Sequence, residues 1–150
     1  MPKSTAEHTA IKMIKNQEAT CVVVRDNKII SQASPKGISY IIDLYDKGAL
    51  EDTFVADTII GKAAAMIFSL GGVTSCYGKT ISRSALDVLK KNNISVSYDN
   101  CTDVIQNRSG TGMCPMEETV LNITDKKEAL TLLKAKVNEM KKNSKENKSC

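Results

Sequence analysis

The sequence predicts an α/β fold, a three-layer α/β/α sandwich built on a mixed sheet with a β-hairpin near its N-terminus. Two β-branched segments, 20–25 and 28–33, flank the turn-prone pair Asp26-Asn27, as the strands of a hairpin do. The later order of strand, helix and strand over 73–98 indicates a right-handed crossover, which makes those two strands parallel. Amphipathic helical segments before and after these strands supply the outer layers.

The first half of the chain contains three predicted helices besides the hairpin. Apolar residues at helical spacing predict a helix over 5–16, and a second is predicted over 38–47, after a chain break at 34–37. The stretch 55–70 is the most apolar in the chain and is rich in alanine. We therefore expect one helix there that packs on the sheet and is stopped by Gly71-Gly72.

The second half alternates strands and helices and ends in a lysine-rich tail. The elements predicted there are strand 73–77, helix 82–91, strand 94–98, a helix from Pro115 to about 122, and a long helix beginning at 124. No regular pattern is predicted between 99 and 113. We expect a single domain over 1–142, followed by a polar, disordered tail at 143–150.

Composition restricts the class of protein. The chain has 150 residues, of which 41% are hydrophobic, so one domain with a sizeable core is expected. The net charge of +4 comes in part from lysines of the tail, and only 4% of the residues are aromatic. A nucleic-acid binder usually has a larger basic face with stacking aromatic side chains, so nucleic acid is not expected as a partner.

The chain is expected to be a cytoplasmic protein without a membrane segment. No apolar run approaches the ~20 residues of a membrane span, and the N-terminus lacks the basic and apolar regions of a signal peptide. The five cysteines are therefore expected to be reduced. None lies in a C-x-x-C pair, and the single histidine, His8, is in the first helix, so no metal site and no cofactor are expected.

The segment 107–118 is the first candidate for a functional site. Its two glycines permit a backbone conformation whose N–H groups converge on an anion, and Arg108 can bind a phosphate or carboxylate with two hydrogen bonds. The residues assigned to ligand binding in this segment are Asn107, Arg108, Ser109, Gly110 and Gly112. The structural alternative is an ordinary polar loop before a helix.

Cys114 and Glu117 are the candidate catalytic residues of this segment. Cys114 lies just before Pro115 at a predicted helix start, where the helix dipole favours a thiolate and so a nucleophile. Glu117 falls in the first turn, where an acid also stabilises a helix for structural reasons. No second histidine is present to serve as a base for the thiol, so a thiol that only lines a pocket is the preferred interpretation, and an inert buried cysteine is the alternative.

The second candidate site consists of Asp57, Gly61 and Lys62. On the predicted helix, Asp57 and Gly61 share one face and Lys62 lies beside them. A glycine inside a helix costs about 1 kcal/mol relative to alanine, so close approach of a ligand or a neighbouring chain would compensate. Contact between helix and sheet explains the glycine equally well. It does not explain two charged residues in so apolar a segment, although a salt-bridged lysine remains an alternative.

Gly78-Lys79-Thr80 suggests a P-loop but lacks its spacing. The motif G-x-x-x-x-G-K-[ST] requires a glycine at position 73, where the chain has Val73. The residues between are also typical of a strand. A P-loop is therefore rejected.

The chain resembles the domain of unknown function 1893 family and, through it, a metal-free branch of the cytidine deaminase-like superfamily. The matching segments are 55–65, 71–73, 81–82 and 107–117, with 36–38 matching more loosely. The resemblance implies a mixed sheet that begins with a hairpin and has helices on both faces. It also implies a pocket that takes nucleosides, nucleotides or similar heterocycles.

The same resemblance indicates where a zinc site would lie if this chain had one. Active deaminases hold zinc through His or Cys near a catalytic Glu at one helix start and P-C-x-x-C at the next. The corresponding positions here are the regions 57–62 and 78–82, and neither supplies a zinc ligand set. Without zinc there is no activated hydroxide, so hydrolytic deamination is not expected.

The leading hypothesis is a protein that binds a nucleotide- or nucleoside-related small molecule. Asp57 and Lys62 would line one wall of the pocket, and the loop 108–114 would close the other. One alternative is an enzyme that acts on a nucleotide-derived substrate with Cys114 and a nearby carboxylate, Glu117 or Asp57. Another is a structural or partner-binding module whose pocket is filled by side chains. A homo-oligomer is expected under each of these hypotheses, because small α/β domains with an exposed strand or helix face often form dimers.

Overall fold

A mixed five-stranded sheet forms the centre of the computed structural model, which describes residues 4–33, 37–106, 110 and 112–147. In chain order the strands are β1 (Cys21–Arg25), β2 (Lys28–Ala33), β3 (Phe54–Ile60), β4 (Ser75–Ser82) and β5 (Ser95–Thr102). The helices of the described segments are α1 (Thr5–Lys15), α2 (Ile38–Asp46), α3 (Lys62–Gly71), α4 (Arg83–Lys91), α5 (Pro115–Val120) and α6 (Lys126–Asn147).

The strand order, β2-β1-β3-β4-β5, places one antiparallel strand inside an otherwise parallel sheet. β1 runs antiparallel to both β2 and β3, whereas β3, β4 and β5 are parallel. Strands β2, β3, β4 and β5 therefore all end at one edge, called here the carboxyl edge. Because α2, α3 and α4 follow β2, β3 and β4 in the chain, all three helices begin towards this edge.

Asp26 and Asn27 form the turn between β1 and β2. Both have positive φ, 51° and 61°. This backbone conformation matches the twist of paired strands and is tolerated by Asp and Asn better than by most residues. The side-chain oxygen of Asn27 also accepts a hydrogen bond of 2.9 Å from the backbone N–H of Ala6, which ties the start of α1 to the turn.

The helices form two layers of unequal size. Helix α1 covers one face of the sheet and buries Ala10 and Ile14 against Val22, Phe54 and Tyr77. The other five helices contribute to the core on the opposite face, where Ile67, Phe68, Leu89 and Leu133 are among the fully buried residues. The predicted α/β class and mixed sheet are confirmed.

The single helix predicted over 55–70 is wrong. The segment contains β3 and then α3, separated by Gly61, whose φ of −98° and ψ of 179° are extended. β3 is a central strand covered on both faces, and its residues 54–57 are all buried. A strand buried on both faces shows no alternation of apolar and polar residues, so its sequence resembles that of a buried helix.

Three further boundaries differ from the predictions. β4 and β5 extend beyond the predicted ends at 77 and 98, so Gly78-Lys79-Thr80 lies within a strand. The later residues of β5, an edge strand, are mostly exposed, so they show no alternation of apolar and polar residues. Helix α6 continues through 143–147, where a disordered tail was predicted, because polar residues without Pro or Gly do not end a helix. Residues 148–150 lie outside the described residues.

Candidate functional site

The carboxyl edge brings together the starts of α2 and α3. Each helix begins at a glycine, Gly37 for α2 and Gly61 for α3, so neither N-cap has a side chain that could accept hydrogen bonds. The first amides of a helix carry partial positive charge and need acceptors from elsewhere. For α3, the acceptor comes from a residue far along the chain.

The carboxylate of Glu117 caps α3. Its two oxygens accept hydrogen bonds from the backbone N–H groups of Lys62, at 2.8 Å, and Ala63, at 2.9 Å. Glu117 is only 8% exposed. A Cβ on Gly61 would lie 2.5 Å from the carboxyl carbon of Glu117, so only glycine leaves room for this approach. The structure thus joins three predicted site residues, Gly61, Lys62 and Glu117, in one contact.

This geometry is typical of a structural cap. A carboxylate at a helix N-terminus is stabilised by charge-assisted hydrogen bonds and by the helix dipole. Both oxygens of Glu117 are engaged, so proton transfer would require the loss of a hydrogen bond to α3. The catalytic role assigned to Glu117 from the sequence stays a prediction, and the observed contacts favour capping.

Asp57 lies on β3 rather than on a helix, and its side chain is buried. Its neighbours across the sheet are Cys21 on β1 and Gly78 on β4. Asp57 is 8% exposed. Burial raises the pKa of Asp57 to about 7, although hydrogen bonds from the backbone N–H groups of Thr58 and Ile59 offset part of the effect. The carboxyl group therefore changes its protonation state near neutral pH.

Two thiols and a phenol lie close enough to Asp57 to be affected by its charge. Burial raises the pKa of Cys21 and that of Cys76, which reaches about 12, and the charge of Asp57 raises both further. Burial also raises the pKa of Tyr40, the hydrogen bond between its hydroxyl and that of Ser31 lowers it, and the charges of Cys21 and Asp57 raise it. All three neighbours are thus neutral at pH 7. Among the described residues, Asp57 forms no ion pair.

Lys62 and Cys114 lie at helix starts. Lys62 begins α3, and its Nζ donates a hydrogen bond of 3.1 Å to the carbonyl oxygen of Leu121. Cys114 is the half-buried N-cap of α5, and its side chain makes no capping hydrogen bond. Its backbone N–H donates to the carbonyl oxygen of Ile105 at 2.8 Å. Cys114 thus begins the short helix that carries Glu117 to α3.

The predicted glycine-rich cradle is only partly described. Gly110 and Gly112 are both exposed, and Gly110 has a φ of 71°, which favours glycine. A bridge between Gln106 and Met113 closes this loop at its base. Asn107, Arg108 and Ser109 lie outside the described residues, so their predicted binding roles stay predictions.

Sequence analysis alone did not identify Cys21 and Tyr40 as neighbours of Asp57. Cys21 reaches Asp57 through the pairing of β1 with β3, and Tyr40 reaches it from the first turn of α2. The available signal was the β-branched strand that begins at Cys21. Using that signal would have required knowing which strand is the neighbour of β3, and neither residue is unusual in its own segment.

Two features are absent from the described residues. In the segments that the structure describes, no three His, Cys, Asp or Glu side chains converge in a way that could hold a metal ion. None of the helices in those segments combines the length and the apolar character that a membrane crossing requires.

Comparison with known proteins identifies the family. The model of a domain of unknown function, DUF1893, matches residues 9–137. The chain belongs to the DUF1893 family. A crystal structure of a DUF1893 family protein from Thermotoga maritima superposes with a TM-score of 0.81 at 24% identity, covering 91% of this chain and 92% of that one. No curated protein matches the chain. The family and the fold are thereby shown.

Proposed function

We propose that this DUF1893 protein binds a small nucleoside- or nucleotide-related molecule at the carboxyl edge, with Asp57 on the floor of the site. The observation that carries the proposal is the buried carboxyl group of Asp57, which has no ion-pair partner among the described residues. Burying such a group costs free energy unless its hydrogen-bonding capacity is used. The backbone N–H groups of Thr58 and Ile59 use part of that capacity, and a bound ligand would supply a further partner in place of the absent ion pair.

The chemistry of Asp57 suits a nucleobase. With a pKa of about 7, the group is available both as a neutral acid and as a carboxylate. The acid presents one donor and one acceptor, and the carboxylate presents two acceptors. Nucleobase edges present donors and acceptors side by side, so one carboxyl group can match two adjacent positions. The neutral thiols of Cys21 and Cys76 offer the weakly polar surroundings that a flat heterocycle prefers.

The topology supports the same class of ligand. Ligands of sheets with parallel strands bind beyond the carboxyl ends of those strands, where helix starts also lie. The order β2-β1-β3-β4-β5, with α1 on one face and α2, α3 and α4 beginning at the carboxyl edge, is compatible with a cytidine deaminase-like fold. We extend the proposal to that superfamily and, through it, to nucleoside-like heterocycles.

The proposal is for binding rather than for hydrolytic deamination. The regions 57–62 and 78–82, which lead into α3 and α4, do not contain the His, Cys and Glu set of the deaminase pattern. The donor set of the described residues does not fit a zinc ion. We therefore assign no step to a metal. A cytoplasmic location, where the free cysteines of the described residues stay reduced, belongs to the same proposal.

Thermal unfolding in the presence of a panel of nucleobases, nucleosides and nucleotides tests the proposal. A member present at a hundredfold its Kd stabilises the protein by about 2.7 kcal/mol, which raises the Tm by roughly 5–10 °C for a domain of this size. The variant Asp57→Leu should lose the shift, while Asp43→Ala, at an exposed position on α2, should keep it. Absence of a shift with every panel member at millimolar concentration would reject the proposal in favour of a structural or partner-binding module.

A further inference from the structure

A groove of about 280 Å³ lies on the helical layer between α3, α4 and the start of α6. Apolar side chains line part of it, and lysines approach it from all three elements. The apolar residues are Met66, Val88 and Ile123, and the lysines are Lys62, Lys91 and Lys126. Lys62 is shared with the carboxyl edge, but Asp57, Cys21, Cys76 and Tyr40 do not line the groove, so its centre lies away from the site proposed above.

The ammonium groups of this groove carry uncompensated charge. Lys62 donates to the carbonyl oxygen of Leu121, and Lys126 donates to the side-chain oxygen of Asn92. Both acceptors are neutral. Within the described part of the chain, no carboxylate lies within 4.0 Å of either nitrogen or of the Lys91 nitrogen. Asp87 is the acidic residue of the groove, so three ammonium groups face one carboxylate, which leaves an excess of two positive charges.

Two of the three lysines hold hydrogen bonds within the protein. Lys62 and Lys126 are half-buried, and each hydrogen bond to a neutral oxygen holds the ammonium group without neutralising it. Each nitrogen keeps two further N–H donors for an incoming acceptor. A partly desolvated ammonium group attracts an anion more strongly than one in open water, because the local dielectric constant is lower.

We propose that this groove binds a small organic anion, in which a phosphate or carboxylate group is joined to an apolar body. The charged group would contact Lys62, Lys91 and Lys126, and the body would rest on Met66 and Val88. The volume falls just below the ~300 Å³ of ordinary ligand pockets, which limits the body to about one ring. This inference does not depend on the nucleoside site at Asp57.

Phenyl phosphate, benzoate, inorganic phosphate and benzyl alcohol are the probes for a nuclear magnetic resonance titration of the full chain. Phenyl phosphate should produce saturable amide shifts at millimolar concentration at the start of α3, the end of α4 and residues 123–126. Inorganic phosphate should bind more weakly than phenyl phosphate because it lacks the apolar body. Benzyl alcohol should also bind more weakly because it lacks the charge. A stronger response to phenyl phosphate than to benzoate would assign the phosphate class, and the reverse would assign the carboxylate class.

Matched lysine variants decide whether the groove is the site. Lys91→Gln and Lys126→Gln should each weaken phenyl phosphate about tenfold, as expected for loss of a charged hydrogen bond. Lys90→Gln and Lys127→Gln remove the same charge from neighbouring positions that do not line the groove, and should leave the Kd unchanged. Equal weakening by all four variants, shifts scattered over the surface, or no saturable shift would overturn the inference. Asp57→Leu should bind phenyl phosphate like the wild type, which separates this result from the nucleoside test.

Discussion

Gly61 and Glu117 approach so closely that a Cβ on Gly61 would lie 2.5 Å from the carboxyl carbon of Glu117. The same carboxylate accepts hydrogen bonds from the backbone N–H groups of Lys62 and Ala63. Gly61 leaves room for the carboxylate, and Glu117 supplies it. The two residues therefore form a single capping device at the start of α3. Both halves of this device can be tested by substitution.

Gly61→Ala should lower the free energy of unfolding by about 1–3 kcal/mol, because the added methyl group must displace the carboxylate or shift the backbone. Urea unfolding followed by circular dichroism measures the loss. Gly37→Ala is the matched control, since Gly37 is also a helix N-cap but a methyl group added there would meet no atom of the described residues within 4 Å. Equal losses for the two variants would show that the contact with Glu117 is not the cause.

Glu117→Gln should also destabilise the protein, by about 1–3 kcal/mol, because the amide offers one acceptor oxygen and turns a donor towards a backbone N–H group. Glu118→Gln, at the exposed neighbouring position, should change the stability little. The double variant Gly61→Ala/Glu117→Ala should lose less than the sum of the two single variants, since the clash disappears with the carboxylate. Strict additivity would contradict the proposed coupling.

The stability of the protein should fall with rising pH in the range set by Asp57. Its pKa is about 7 in the folded protein and near its usual 3.8 in the unfolded chain. Between these values the folded state binds the extra proton, so the free energy of unfolding decreases as the pH rises and levels off above about 7. The ceiling of this effect is about 4 kcal/mol, since each pH unit in the window is worth about 1.4 kcal/mol.

Urea unfolding of Asp57→Asn at several pH values isolates this contribution. The variant cannot ionise at this position, so the difference in stability between variant and wild type should grow in favour of the variant from pH 4 to pH 7. Asp43→Asn, on the exposed side of α2, should keep the pH dependence of the wild type. A constant difference across the range would mean that Asp57 has no raised pKa.

The cysteines should differ sharply in reactivity. Cys101 is exposed on β5, whereas Cys21 and Cys76 are buried and have raised pKa values. Brief treatment with iodoacetamide at pH 7.5, followed by mass spectrometry of peptides, should find Cys101 labelled and Cys21 and Cys76 protected. In urea all three should react alike. A Cys114 that reacts faster than Cys101 would instead revive the enzyme hypothesis.

Local patterns were sufficient to predict some elements and insufficient for others. Helix α1 was predicted almost to its boundaries because its apolar residues recur at helical spacing on one buried face. β3 was missed because it is covered on both sides, so its sequence lacks the alternation that distinguishes a half-buried strand. Asp57 and Lys62 were identified as unusual for a local reason too, since each is a charged residue in an apolar segment.

The partners of those residues depend on the tertiary structure. The contact between Glu117 and Gly61 joins α5 to α3, and nothing near either residue in the sequence indicates the other. Likewise, Cys21 lies beside Asp57 only because β1 is inserted between β2 and β3. Single residues of the candidate site could therefore be predicted from the sequence. Predicting which of them lie together would have required the strand order and register.

The cap on α3 also has a consequence for folding during synthesis on the ribosome. The hydrogen bonds that Glu117 accepts from Lys62 and Ala63 span 55 and 54 positions of the chain. Because synthesis proceeds from the N-terminus, the start of α3 leaves the exit tunnel well before its acceptor does. Until then, water must serve the two amides, and the buried helix at the centre of the domain stays unfinished. Completion of the start of α3 is thus a late event of translation, because it waits for this carboxylate.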